Sequence, residues 1–591
     1  MKNDFSNEKI AQLLRDVAAS YTIQNEGKFR FQIIAYQKAA DTIEGMTQQL
    51  RDLYSEDKLD NIPGIGTSIS ASLKELFSTG KVNHFESIMK DIPTPVFRLL
   101  EVPTFGPKKA YKLVTKFKLA NPDTVFEDVK KLAEEGRIAE LEGFGQKSEA
   151  DILRALEEFK KGKTKTNRMP YPFAFELAEK MIEYLKKSPD VVEAFPLGSL
   201  RRKRSTIGDI DIAVATKKPQ KVLDYFIDYP YLERIIEKGT ATSSILTAGG
   251  KQIDLMTQNP DGFGSLLQHF TGSKQHNVHL REYALRKGLS LSEYGIKEKD
   301  KGVQKKFKTE EDFYQFLGLD WIPPEIREDE GEIELALKHN LPKLVELKDI
   351  KGDLHIHSSY PIEPSHDLGR TSMSDLLEKA KELHYEYLGF SEHNPSVGNH
   401  SEKEIYQIMK KRHKYIEDIK KYNKSIRVIN LLETDILADG KVALPDNCLE
   451  FVDGLIVSVH SVFSMDKEKM TKRILKGLSH PKAKILAHPT ARLINQREGL
   501  TADWNQVFEF AATNNKALEI NSWPTRLDLP DTLVKQAKEM GVKFVIDTDT
   551  HDVIHMNNML YGVSVARRGW CTKEDILNTL PFEKFYKWLT Q

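Results

Sequence analysis

Apolar and polar positions change period several times along the chain, and each change predicts a different element. After Gly66, the apolar positions Ile69, Leu73 and Leu76 recur at helical spacing and predict a helix with one buried stripe. Ile210-Asp211-Ile212-Ala213-Val214 is a largely apolar run, and Lys251-Gln252-Ile253-Asp254-Leu255-Met256 alternates apolar with polar, so both predict strands. Leu455-Ile456-Val457 and Lys484-Ile485-Leu486 are short apolar runs that predict buried strands, each followed by a histidine.

Three segments share an apolar-x-Gly-apolar-Gly pattern that leads into a helical stretch. They are Ile62-Pro63-Gly64-Ile65-Gly66, Val102-Pro103-Thr104-Phe105-Gly106 and Leu141-Glu142-Gly143-Phe144-Gly145. Their recurrence at intervals of about 40 residues marks a repeated unit. They resemble helix-hairpin-helix motifs. Glycines let such a turn approach a DNA phosphate and present backbone N–H groups at a helix N-terminus, a contact that carries no sequence information. Gly64, Gly66, Gly106, Gly143 and Gly145 are the candidate DNA-binding positions. Thr104 stands where the second segment should have its first glycine, and Glu142 precedes the glycines of the third.

Residues 198–211 read Gly198-Ser199-Leu200-Arg201-Arg202-Lys203-Arg204-Ser205-Thr206-Ile207-Gly208-Asp209-Ile210-Asp211. Side chains at i and i+2 of a strand share a face, so Asp209 and Asp211 aim at one spot. Two hard oxygen ligands there suit Mg²⁺. The Gly-Ser N–H groups and the arginines suit a polyphosphate. Asp254 supplies a third carboxylate on another strand. Together these point to nucleotidyl transfer with two metal ions.

A second constellation begins near residue 350. Asp353-Leu354-His355-Ile356-His357, Ser391-Glu392-His393, Glu433-Thr434-Asp435, Val459-His460, Ala487-His488 and Asp549-Thr550-His551 follow one another. Ligands at successive strand ends, with helices between, describe a (β/α) barrel whose site lies at its C-terminal face. Mixed imidazole and carboxylate favour Zn²⁺, Mn²⁺ or Fe.

Composition narrows the setting. A chain of 591 residues with 40% hydrophobic and 29% charged residues reads as a soluble protein of three or four domains. No apolar run approaches the roughly 20 residues of a membrane span, and the N-terminus has no signal-peptide core. Two cysteines, Cys448 and Cys571, are too few for a disulfide framework and predict a reducing cytoplasm. A net charge of zero argues against a simple basic nucleic-acid binder. The basic run from Lys160 to Arg168 and the mostly acidic run from Glu325 to Glu330 fall where domains are expected to separate.

The string G-S-x-R-R-x(5)-G-D-I-D resembles the nucleotidyltransferase palm of family X DNA polymerases. The resemblance implies catalytic roles for Asp209, Asp211 and Asp254. It implies nucleotide contacts for Gly198, Ser199, Arg202 and Gly208. The block Gln268-His269-Phe270-Thr271-Gly272-Ser273 with Asn277 and Arg281 is similar to the segment that holds the incoming sugar and base, and adds Phe270, Gly272, Asn277 and Arg281. His269 replaces the family's usual Tyr, and Met256 an Arg. Residues 1–85, with Phe31 to Ala40 on a helix, resemble the family's small lyase-type domain. Where some relatives carry a Schiff-base lysine this chain has Ser72, which cannot form an imine.

The histidine-rich region resembles the polymerase-and-histidinol-phosphatase (PHP) domain, which implies metal binding by His355, His357, His393, Glu433, His460, His488, Asp549 and His551 and a 3′–5′ exonuclease activity. The family pattern H-x-H-x(4)-D places Ile362 where an aspartate is usual, and Glu392 where Asp is usual. One metal site is therefore expected to be weakened, with reduced or altered nuclease activity.

The expected organisation is multidomain α+β and α/β: helix-hairpin-helix domains at 1–85 and 86–165, a palm at 166–258, a nucleotide-selection subdomain at 259–320, a linker at 321–350 and a PHP barrel at 351–591. The expected function is template-directed gap filling on gapped or primer-template DNA from dNTPs, by a monomer with Mg²⁺ at the palm and Mn²⁺ or Zn²⁺ in the barrel, away from membranes. A protein that is mainly a phosphoesterase, or a DNA-binding scaffold with a vestigial barrel, stands as the alternative.

Overall fold

Each glycine-bearing segment opens a helix in the computed structural model. Gly66 and Gly106 are extended-backbone N-caps of helices Thr67–Thr79 and Pro107–Lys116, and neither helix has a side-chain capping bond. Pro107 occupies a first-turn position that needs no N–H. Gly143 takes φ +82°, the left-handed region open to glycine, just before helix Gln146–Lys160. The structure describes residues 5, 7–44, 50–55, 59–62, 65–102, 105–160, 168–248, 250–298, 302–497 and 499–591. Gly64, Thr104 and the expected domain boundary at 165/166 lie outside them.

The described residues form two units, one of Met1–Met169, Leu177–Ala194 and Gly208–Gln258, the other of Pro170–Glu176, Phe195–Ile207 and Asn259–Gln591. In the first, the helical part has two apolar cores. One gathers Ile10, Leu14, Val17, Leu73 and Phe85; the other gathers Val96, Leu99, Leu113 and Val129. The 3.6-residue spacing of Ile69, Leu73 and Leu76 places all three inside. Fully burying one such side chain stabilises by about 1.5–3 kcal/mol.

The same unit carries the palm sheet. Strand Ile210–Ala215 pairs parallel with Gln252–Gln258, which pairs antiparallel with Thr242–Thr247, itself antiparallel to Leu232–Lys238. The nearly continuous burial of Ile210–Ala215 marks it as a central strand.

In the second unit, helices Phe263–Thr271, Lys274–Arg286 and Glu310–Leu317 stand beside a small antiparallel sheet of Leu289–Ser292, Gly295–Glu298 and Gln304–Lys305. Leu280, Ala284, Ile296, Phe313 and Tyr314 make its core together with Trp570.

Beyond residue 350, seven strands run parallel in sequence order: Gly352–Asp353, Tyr387–Phe390, Arg427–Asp435, Gly454–Ser458, Ala483–Leu486, Ala517–Asn521 and Lys543–Asp547. Past the ends of the first and last strands, the His357 N–H donates to Thr550 O (2.7 Å) and the Thr550 N–H to His355 O (3.1 Å), which nearly closes the barrel. Leu354, Ile429, Leu431, Ile456 and Ile485 fill its interior with no exposed surface. The helical N-terminal region, the mixed sheets and this barrel are the architecture expected from the sequence.

Candidate active sites: a carboxylate triad and a histidine-rich metal centre

Register brings the palm carboxylates together. Asp211 and Asp254 are partners across the parallel pair of strands, and Asp209 immediately precedes the first of them. Burial, and then the charges of Asp209 and Asp254, push the Asp211 carboxyl up to about 7. Three crowded carboxylates are costly unless a cation joins them, so this donor set fits a hard divalent metal. Gln252, on the same face as Asp254, donates to both of its oxygens (3.0 and 3.1 Å). Its i, i+2 spacing from Asp254 is the one sequence signal for that role.

In the second unit, Gly198 (φ +56°) opens a short helical turn, Gly198–Arg201, that ends at Arg202. The Arg202 guanidinium donates to Thr271 O (2.5 Å) and, through Nε, to Glu328 (3.2 Å). It passes over Gly272, where a Cβ would come 3.0 Å from Nη1. Arg201 points elsewhere, to Thr271 Oγ1 (2.5 Å) and Glu310 (2.6 Å). The Asn277 amide donates to His269 O (2.7 Å) and accepts from Gln268 (2.9 Å). Arg281 lies 3.3 Å from His269 Nδ1, and the His269 and Phe270 rings meet edge to face at 4.8 Å.

At the lyase-type position, the Ser72 hydroxyl donates to Ser68 O (3.1 Å). The nearby Lys74 ammonium is held by Asp60 at 2.6 Å.

Every histidine of the second constellation sits at the C-terminal end of a barrel strand, as the (β/α) geometry requires. Glu433 is the hub. Its Oε2 lies 3.1 Å from His355 Nε2, 3.4 Å from His357 Nε2 and 2.9 Å from His393 Nδ1. Its Oε1 lies 3.3 Å from His460 Nε2 and 3.0 Å from His488 Nε2. Asp549 Oδ1 approaches His357 Nε2 at 3.4 Å and His355 Nε2 at 3.6 Å. His355 Nε2, His357 Nε2, His393 Nδ1, His551 Nε2 and Glu433 Oε2 are all buried without a hydrogen-bond partner. Orphaned nitrogens facing one buried carboxylate fit metal ions. Burial opposes ionisation of Glu433, but His393, His355 and His460 hold it well below the carboxylate range.

As expected, Ile362 supplies no ligand. Ile362 is fully buried and apolar. Glu363, which flanks it, pairs instead with His400 (2.8 Å). Asp367 comes up to the cluster, with Oδ1 3.3 Å from His393 Nε2 and Oδ2 3.4 Å from His551 Nε2. Asp367 lies ten residues past His357, so counting the family spacing from His357 stops at Ile362 and misses it. The same segment brings His366 to Asp435 (3.0 Å), which also accepts from His460 Nδ1 (2.6 Å).

Glu392 is turned away from the cluster. It accepts from Ser358 and forms a buried ion pair with Arg412. Glu519 was not anticipated, yet it lies 2.6 Å from His355 Nδ1 and orients that ring, as carboxylates behind metal-binding histidines do. A lone charge among the apolar residues Ala517, Leu518 and Ile520 of strand Ala517–Asn521 is its signal.

Comparison with known families agrees with this geometry. The description "DNA polymerase beta thumb" matches residues 266–328, "Helix-hairpin-helix domain" residues 5–82 and "PHP domain" residues 353–523. The chain is 33% identical over 573 residues, 96% of each chain, to the DNA polymerase/3′-5′ exonuclease PolX of Bacillus subtilis (strain 168). It is 25% identical over 354 residues to DNA polymerase lambda of Arabidopsis thaliana, covering 54% of this chain and 62% of that one. DNA polymerase lambda of Rattus norvegicus is 23% identical over 355 residues, 54% and 56% of the two chains. With likeness along nearly its whole length and both metal-binding constellations present, the chain belongs to the bacterial family X DNA polymerases that carry a C-terminal PHP domain.

Proposed function

We propose that this enzyme fills short gaps in DNA by template-directed, 5′-to-3′ transfer from dNTPs, and that its barrel trims 3′ ends. The observation that supports polymerisation best is the register of Asp211 against Asp254 with Asp209 beside them. A scaffold with no chemistry has no use for three crowded carboxylates. Asp209 and Asp211 hold Mg²⁺, and Asp254 takes the proton from the primer 3′-hydroxyl. When bound, Mg²⁺ supplies charge neutralisation at the phosphate under attack. Gly198, Ser199, Arg202 and Gly208 serve the triphosphate. Phe270 and Gly272 serve the deoxyribose, Asn277 the minor-groove edge of the base, and Arg281 the template. Minor-groove acceptors are common to all base pairs, so Asn277 reads shape rather than identity.

In the barrel, His355, His357, His393, Glu433, His460, His488, Asp549 and His551, joined by Asp367, hold Mn²⁺ or Zn²⁺. The bound ions supply Lewis-acid polarisation of the scissile phosphate. Asp367, which reaches His393 and His551, takes the place the family gives to the aspartate after His357. Gly66, Gly106, Gly143 and Gly145 grip DNA phosphates without regard to sequence; Gly64, outside the described residues, is assigned the same role. Residues 1–85, 86–165, 166–258, 259–320, 321–350 and 351–591 are the proposed domains. The protein works as a monomer in the cytoplasm; its two unpaired cysteines, Cys448 and Cys571, support the reducing compartment. Among the described residues no helix is long and apolar enough to cross a membrane.

The test is a one-nucleotide gap with a labelled primer, with and without dNTPs, in Mg²⁺ and then Mn²⁺. Extension with dNTPs and shortening without them is the expected result. Unimpaired extension by Asp209→Ala would overturn the palm assignment.

A further inference from the structure

Helix Met559–Arg568 belongs to the barrel region, yet its last residue reaches the turn that carries Arg202. Arg568 Nη1 donates to the Arg202 carbonyl (2.7 Å) and to Glu328 Oε1 (3.1 Å). The same Glu328 oxygen accepts from Arg202 Nε (3.2 Å) and lies 3.7 Å from Arg204. Arg568 is itself fixed: its side chain is only 3% exposed, and its Nε donates to Asp531 at 2.7 Å. Next to it, Arg567 and Lys203 share Glu325, at 2.8 and 2.9 Å. Tyr561, farther back on the helix, packs edge to face on Tyr171. Five cations thus face three carboxylates around residues 202–204. Such a surplus of positive charge, part of it buried, is ordered by carboxylates and backbone oxygens, and it leaves net attraction for a polyanion.

We infer that Arg568, a residue of the exonuclease region, is a positioning residue for polymerisation: with Glu328 it sets the backbone and guanidinium of Arg202 for the incoming triphosphate. This rests on the assignment of Arg202 to the triphosphate. Two points of attachment define the pose. The carbonyl contact fixes where the turn ends, and the shared Glu328 oxygen fixes the direction of the guanidinium. Arginine suits this because one planar fork can serve a carbonyl and a carboxylate together, whereas lysine is a point charge. The arrangement makes nucleotide affinity depend on how the barrel region's last long helix is seated.

Steady-state gap filling by the full chain tests this, with dNTP concentration varied and 3′-end trimming of single-stranded DNA measured in parallel. Arg568→Ala is expected to raise the KM for dNTP roughly tenfold, the scale of one lost charge-assisted contact, with little change in kcat. Arg568→Lys should recover part of that loss. Trimming should be unchanged, because Arg568 touches no residue of the histidine cluster. Arg202→Ala should raise KM at least as much, and adding Arg568→Ala to it should change nothing further, since one residue acts through the other. Arg568→Gln keeps a donor for the carbonyl and tests the charge alone in a chain that retains the packing. If Arg202→Ala leaves KM unchanged, the triphosphate assignment is wrong. If Arg202→Ala raises KM while Arg568→Ala and Arg568→Gln do not, or if the two losses add, the positioning role is overturned.

Discussion

Asp367 Oδ1 lies 3.3 Å from His393 Nε2 although the two residues sit on different crossover segments of the barrel. The second carboxylate oxygen meets His551 at 3.4 Å, so one side chain bridges two ligand-bearing strand ends. The carboxylate itself is largely exposed, and the neighbouring His393 and His551 rings hold it well below the usual aspartate range.

Asp367→Ala should therefore lower the metal content of purified protein by about one ion per chain and slow 3′-end trimming by at least about tenfold, as losing a ligand or its close partner does. Gap filling with dNTPs should persist. Ile362→Asp should not rescue the loss, because residue 362 is fully buried and a carboxylate there would not reach the position of Asp367. Elemental analysis alongside both assays decides it; an Asp367→Ala protein with full metal content and full trimming would show that the carboxylate is incidental.

The palm makes a prediction about pH. Burial and the charges of Asp209 and Asp254 place Asp211 at about 7 when no cation is present. A raised carboxyl contributes stability that is present below the ordinary aspartate value and is lost as pH rises through the folded value. In chelator at about pH 8 the triad is thus a source of repulsion. Asp211→Asn should raise the melting temperature there by roughly 2–4 °C, and Mg²⁺ should stabilise the parent chain more than the variant. A lower melting temperature for Asp211→Asn in chelator would remove the charge-crowding argument.

The thumb makes the opposite prediction. Burial alone would raise Glu310, but Arg327 and Arg201 hold it at about 2. Its contribution is present above the ordinary glutamate value of 4.5 and is lost as pH falls toward about 2. Glu310→Gln should cost roughly 3–5 kcal/mol near neutrality, because it leaves Arg327 buried and uncompensated. The stability gap between parent and variant should close as pH falls below about 4. A gap that stays constant down to that range would mean the ion pair is not what stabilises this region.

The hairpins predict a loss without specificity. A Cβ at Gly66 or Gly145 would meet nothing within 4 Å, so an added carboxylate fits the fold. Gly66→Asp and Gly145→Asp should each weaken binding to gapped DNA by about tenfold on any sequence, more at low salt than at high salt. Fluorescence anisotropy against several sequences reads this; a loss confined to one sequence would contradict a phosphate contact.

The chemistry of both sites was legible where it rests on local spacing. Asp209 and Asp211 at i, i+2 share a face because a strand repeats every two residues. The histidines fall at strand ends because each follows a short apolar run. Hydrophobic spacing likewise placed Ile69, Leu73 and Leu76 in a core. Periodicity carried nothing about Asp367. The Tyr360 to Pro364 segment has no repeat, and only the folded loop shows that it carries a carboxylate past Ile362 to the candidate metal ligands. Glu519 behind His355, and Arg568 with Glu328 around Arg202, are pairings set by strand register and helix packing. Residues far apart in sequence meet there because burial leaves charged groups no partner but each other, and no short-range pattern encodes that choice.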